Sequence, residues 1–162
     1  MMRQIGKQIL TIALLSLAFG CSAVPASAAA LGTLIVADPL TGRAIDGWDP
    51  VTYFTEGEPQ RGSPDFEYIW NGAPWYFVSE ANRDAFKLHP DVYAPQYGGH
   101  GAMSLARGYL SDGNPRVYLL RENKLYFFFS MGNREAFMLS PTQAVKDADA
   151  NWTRLSKDLA TQ

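Results

Sequence analysis

The side chains best able to do chemistry in this chain are few, and they sit close together in sequence. His100 follows Gly98-Gly99, with Met103 on the same short stretch. Imidazole and thioether suit copper, whereas the simpler reading is a loop histidine beside a packed methionine. His89 precedes Pro90, where a helix must stop and a cation would complement its dipole. Asp46 and Asp49 flank Gly47-Trp48 and as a pair suggest acid–base work. An aspartate before proline more simply closes a turn onto backbone N–H, which leaves Asp46 solvated. Trp48 and Tyr97 join His100 and Met103 as the tentative ligand-binding set, since indole and phenol groups can line a small-molecule pocket. Trp70, Trp75 and Tyr93 read as core. No nucleophile elbow, phosphate-binding glycine loop or zinc-protease helix occurs in the sequence.

Something must hold these residues in place. The chain has 162 residues, 47% of them hydrophobic and 13% aromatic, enough for one domain with a real core. A formal net charge of -2 offers nothing to a polyanion, which sets nucleic acid aside as a partner. A small ligand or another protein is left as the partner.

The first thirty residues are different material. Arg3 and Lys7 precede the apolar run from Ile9 to Phe19, and Ala26-Ser27-Ala28 is a small-x-small step. This is the layout of a secretory signal peptide over residues 1–28, giving a periplasmic or secreted mature chain. Gly20-Cys21 offers an alternative, lipidation of Cys21 and a membrane anchor. Cys21 is the only cysteine, so the folded part holds no disulfide and no thiolate.

Residues 29–43 read as a leader with a short strand over Thr33 to Ala37, and 44–160 as a single domain. Asn71-Gly72 joins two aromatic strands, Phe66 to Trp70 and Trp75 to Val78, as a hairpin. Ser79 caps the helix that follows, with Ala81, Ala85, Phe86 and Leu88 facing inward. A short helix spans Ala102 to Arg107. A second hairpin runs from Val117 to Leu120 and from Lys124 to Ser130, and its apolar run Leu125-Tyr126-Phe127-Phe128-Phe129 predicts a strand covered on both faces. Ser140-Pro141-Thr142-Gln143 is a capping box, opening a helix with the stripe Ala144, Ala148, Trp152, Leu155 and Leu159. The fold class is therefore α+β, with small antiparallel hairpins packed against a short central helix and a C-terminal amphipathic helix. Neither an internal repeat nor a low-complexity tract stands out.

Three stretches, Gly47-Trp48-Asp49-Pro50-Val51-Thr52-Tyr53-Phe54, Trp70 to Phe86, and Pro90 through Tyr93-Ala94-Pro95-Gln96-Tyr97-Gly98-Gly99, occur in this order. Together they resemble the exported bacterial YHS-domain proteins, over nearly the whole mature chain. The resemblance implies a small α+β domain. In metal-handling relatives it also implies cysteines after Asp-Pro-Val and on both sides of the strand-to-helix corner. Those positions are Thr52, Val78 and Asn82 here, and a further cysteine common in exported members falls at Gly101. None supplies the thiolate that a soft metal needs. The expectation is an exported, non-enzymatic binding module without confident cofactor, its cysteine metal site degenerate. A periplasmic protein binding copper or zinc through His100 and Met103 is the alternative.

Overall fold

A computed structural model describes residues 34–160; the leader read over residues 1–28, with Cys21, lies outside them. A turn at Ile45–Gly47 leads into α1 (Thr52–Thr55), the hairpin β1 (Ser63–Trp70) and β2 (Ala73–Phe77), then α2 (Glu80–Leu88) and α3 (Pro90–Tyr93). A second turn at Gln96–Gly99 leads into α4 (Ala102–Ala106), the hairpin β3 (Asn114–Arg121) and β4 (Lys124–Phe128), then α5 (Met131–Leu139) and α6 (Pro141–Ala160). The α+β class and the C-terminal helix stand as read.

The second series repeats the first, element for element, which overturns the reading of a chain without internal repeats. Both hairpins are antiparallel pairs of the same strand lengths, and both shift register early, between Ser63 and Glu67 and between Asn114 and Tyr118. Inside those shifts Asp65 N–H donates to Ser63 Oγ, and Arg116 N–H donates to Asn114 Oδ1. Gly62 N–H donates to Gly47 O at 3.0 Å, and Gly113 N–H donates to Gly99 O at 3.0 Å. Isolated bridges join Trp48 to Arg61 and His100 to Asp112. Ser79 and Ser130 each accept a hydrogen bond from the backbone of the asparagine three residues on, Asn82 and Asn133. The pairs Phe77/Phe128, Arg83/Arg134, Phe86/Phe137 and Pro90/Pro141 are identical residues at equivalent places.

Local chemistry accounts for the hairpins. Asn71 and Gly72 both have positive φ, 47° and 78°, as a two-residue turn matched to strand twist requires. Glu122 and Asn123 adopt the same left-handed pair, at 52° and 59°, with less favourable residues.

The two halves stack head to tail. One apolar cluster joins Ile45, Val51, Tyr53, Trp75, Phe77 and Phe86, and the back of the second hairpin closes it through Leu125 and Phe127. The other joins Tyr97, Ala102, Leu105, Tyr126, Phe128 and Phe137. Among the described residues it is α6 that closes this one, with Ala144, Ala148, Trp152 and Leu155. Strand β4 is thus buried on both faces from Leu125 to Phe128, as its apolar run predicts, but Phe129, expected to continue it, lies beyond the strand and is exposed.

Other expectations need correction. Ile35 and Val36 are buried, but only Ala37 forms a bridge, to Ala44, so the strand expected up to Ala37 is not formed within the described residues. Ala81 and Leu88 face solvent, leaving Phe86 as the anchor of α2. Gln143 reaches forward to Asp147 at 2.8 Å instead of back to the start of α6. Helices α1, α3 and α5 were not foreseen.

Candidate functional site

Asp49 organises the first strand-to-helix corner. Its side chain is fully buried. One carboxylate oxygen accepts Val51 N–H at 2.8 Å, closing the turn expected before Pro50. The other accepts Val78 N–H at 2.8 Å and the Asn82 side-chain amide at 2.8 Å. Thr52 Oγ donates to Asp49 O at 2.7 Å and accepts Gln60 N–H at 3.0 Å. Thr52, Val78 and Asn82 are therefore all held on Asp49, Thr52 through its backbone carbonyl and the other two through its carboxylate. Burial pushes the Asp49 carboxyl above the usual carboxylate range, and the donors from Val78, Asn82 and Val51 oppose that shift. Asp46 is exposed, as expected. The two aspartates are thus placed differently, Asp49 held by backbone and amide donors and Asp46 facing solvent.

The equivalent corner in the second half has Gly101 where the first has Asp49. A Cβ built there would lie 2.9 Å from Ser111 Oγ, 3.3 Å from Phe129 N and 3.4 Å from Ser104 Oγ. Ser111 Oγ donates to Ser104 Oγ at 2.7 Å, and the Asn133 amide reaches Ser104 Oγ at 3.5 Å. Two serine hydroxyls and an amide thus close a corner that the first half closes with a carboxylate.

The four tentative ligand residues do not share a pocket. Tyr97 is buried in the second cluster, and its hydroxyl donates to Asp149 at 2.9 Å. Burial, and then that hydrogen bond, push its pKa upward. His100 is buried under Trp152, with ring centroids 5.5 Å apart, and its Nδ1 lies 3.9 Å from Asp112 Oδ1. Met103 packs half-buried against the second cluster. Among the described residues, no group of three or more His, Cys, Asp or Glu converges as a metal site would require. His89 is exposed at the end of α2, where its position suits the helix dipole. Gly98 and Gly99 have positive φ, and the Leu34 backbone crosses so close to Gly98 that no side chain would fit.

Trp48 alone of the four faces outward. It lines a recess of about 290 Å³ with Glu58, Pro59, Arg116 and Tyr118. The guanidinium groups of Arg61 and Arg116 both lie over its ring, 4.9 and 5.6 Å from the centroid. Sequence reasoning missed both arginines, because nothing near either one in sequence marks it. The signal for Arg116 is its place in the repeat, opposite Asp65. No protein-family model matches this chain, and neither a curated protein nor a solved structure matches it.

Proposed function

We propose that this chain is an exported, non-enzymatic binding module of the YHS type whose strand-to-helix corner has become scaffold. The observation that carries this reading is the Asp49 clasp. Where the resemblance would bring cysteines together, Val78 N–H and the Asn82 amide are both spent on one carboxylate oxygen. A metal ion entering there would have to displace a buried, hydrogen-bonded carboxylate and would find only a threonine hydroxyl and an amide around it. The copper alternative has less support, since His100 is covered by Trp152 and Met103 is turned into the apolar cluster.

Titration of the purified protein with copper and zinc, followed by calorimetry, tests the reading. Only weak, non-stoichiometric uptake is expected, unchanged by His100→Ala. Tight one-to-one binding lost in His100→Ala would overturn it in favour of copper handling. The mass of the exported chain would separate cleavage after Ala28 from lipidation of Cys21.

A further inference from the structure

The equivalent arginines of the two halves are treated differently. In α2, Arg83 is clamped by Glu80 at 2.6 Å and by Asp84 at 3.3 Å. In α5, Met131 replaces Glu80, and Arg134 forms no ion pair among the described residues. Its Nε is buried without a hydrogen-bond partner, an arrangement that costs stability unless something else supplies the acceptor. The groove beside it, about 350 Å³, is lined by Arg134, Met131, Arg116, Val117, Leu119 and Leu120. Residues from both faces of β3 line it, so it runs along the outer edge of that strand. Among the described residues β3 has one strand neighbour, β4, which leaves the other edge with backbone groups open to pairing. Arg116 links the groove to the Trp48 recess, since it lines both. At the place equivalent to Arg116 the first half carries Asp65, which is held by Ser63.

We infer that the β3 edge binds an extended acidic peptide segment, which adds as a strand and sets carboxylates against Arg134 and Arg116. This rests on the reading of the chain as a binding module, and it names the partner's chemistry. Strand addition satisfies the open backbone edge, apolar side chains cover Met131 and Leu120, and each carboxylate completes a charge-assisted pair. Met131 is half-exposed and Leu120 is 38% exposed, so burying them adds to the drive.

The probe is a fluorescent extended peptide of alternating Glu and Val, read by anisotropy against the full chain. Saturable binding is expected, weakened about tenfold by Arg134→Gln and similarly by Arg116→Gln, and unaffected by Arg83→Gln. Alternate N-methylation of the peptide backbone should weaken binding as much, since it blocks strand pairing. Near-UV circular dichroism of each variant separates lost contact from lost fold, and Arg116, in the bulge of β3, serves if Arg134→Gln unfolds. Absence of saturation, equal binding of a Lys/Val peptide, or indifference to both substitutions would overturn the proposal. Full binding of the N-methylated peptide would also overturn it, reducing the site to charge attraction. A silent peptide titration with a silent metal titration removes this inference alone, whereas tight copper binding through His100 removes the parent reading.

Discussion

The two halves of this molecule have the same plan and spend their polar residues differently. In the first half Asp49 ties the turn, the end of β2 and the start of α2 together through three N–H donors. In the second half Gly101 leaves that work to Ser104, Ser111 and Asn133. The first half pairs Arg83 with two acids, and the second leaves Arg134 beside an open strand edge. Trp48 is reachable from solvent under two arginines, whereas its counterpart His100 is sealed by α6. The lesson is that a repeated scaffold holds its shape through a few shared anchors, and the polar positions between them are free to diverge.

The shared anchors give the largest expected effects. Phe86 and Phe137 are both fully buried, each packed edge-on or tilted against its own strand's aromatics. Phe86→Ala and Phe137→Ala should each cost about 3–5 kcal/mol in denaturant unfolding. A large loss at one and a small loss at the other would break the equivalence of the halves. Next is Asp49→Ala, which strands Val51 N–H, Val78 N–H and the Asn82 amide and should cost about 3 kcal/mol. Ser104→Ala, at the corner without a carboxylate, should cost about 1 kcal/mol. Equal losses would mean that the carboxylate is no more than a turn-former.

Much of this was legible in the sequence, and the failures share a cause. Asn71-Gly72, Ser79, Ser140-Pro141 and the run from Leu125 to Phe128 act through their immediate neighbours, so they could be read directly. The repeat was not legible, because its identities are confined to isolated anchors such as Ser79/Ser130, Asn82/Asn133 and Phe86/Phe137. Between them the turns and charges differ, with Glu122-Asn123 opposite Asn71-Gly72. Matching Ser79-x-x-Asn82-Arg83 to Ser130-x-x-Asn133-Arg134 would have revealed α5. That the Asp49 carboxylate holds Val78 and Asn82 depends on contacts between residues far apart in the chain, which no local pattern reports. The same holds for Arg116 over Trp48.

Alkaline pH sharpens the comparison in another way. Tyr53 in the first cluster and Tyr97 in the second are both held protonated, chiefly by burial, with pKa values raised from the ordinary 10.0. In the unfolded chain both lose a proton near pH 10, so the folded state binds more protons above that pH. Stability must therefore fall as pH rises past about 10, by about 1.4 kcal/mol per pH unit for each such tyrosine. Tyr97→Phe should remove one proton's worth of that slope while leaving the contribution of Tyr53. Urea unfolding between pH 9 and pH 11 measures it; an unchanged slope would place Tyr97 in contact with water.

The smallest expected difference concerns the two serine caps. Ser79 Oγ accepts Asn82 N–H at 3.2 Å, and Ser130 Oγ accepts Asn133 N–H at 3.3 Å. Each loss to alanine should cost about 1 kcal/mol. They should not cost the same. At the start of α2 the Asp49 carboxylate still holds the Asn82 side chain and Val78 N–H after the serine is gone, and a negative group there favours the helix dipole. At the start of α5, Asn133 N–H keeps its bond to Ser130 O at 3.1 Å, but the Asn133 side chain meets the neutral Ser104 hydroxyl at 3.5 Å and an exposed contact with Arg107, where α2 has a carboxylate. Ser130→Ala should therefore exceed Ser79→Ala by a few tenths of a kcal/mol, roughly the size of a screened dipole contribution. In the Asp49→Asn background the gap should narrow, because the charge has gone while the amide can still accept one hydrogen bond. A gap that survives that change would mean that the two helices differ in packing and not in the charge at their ends.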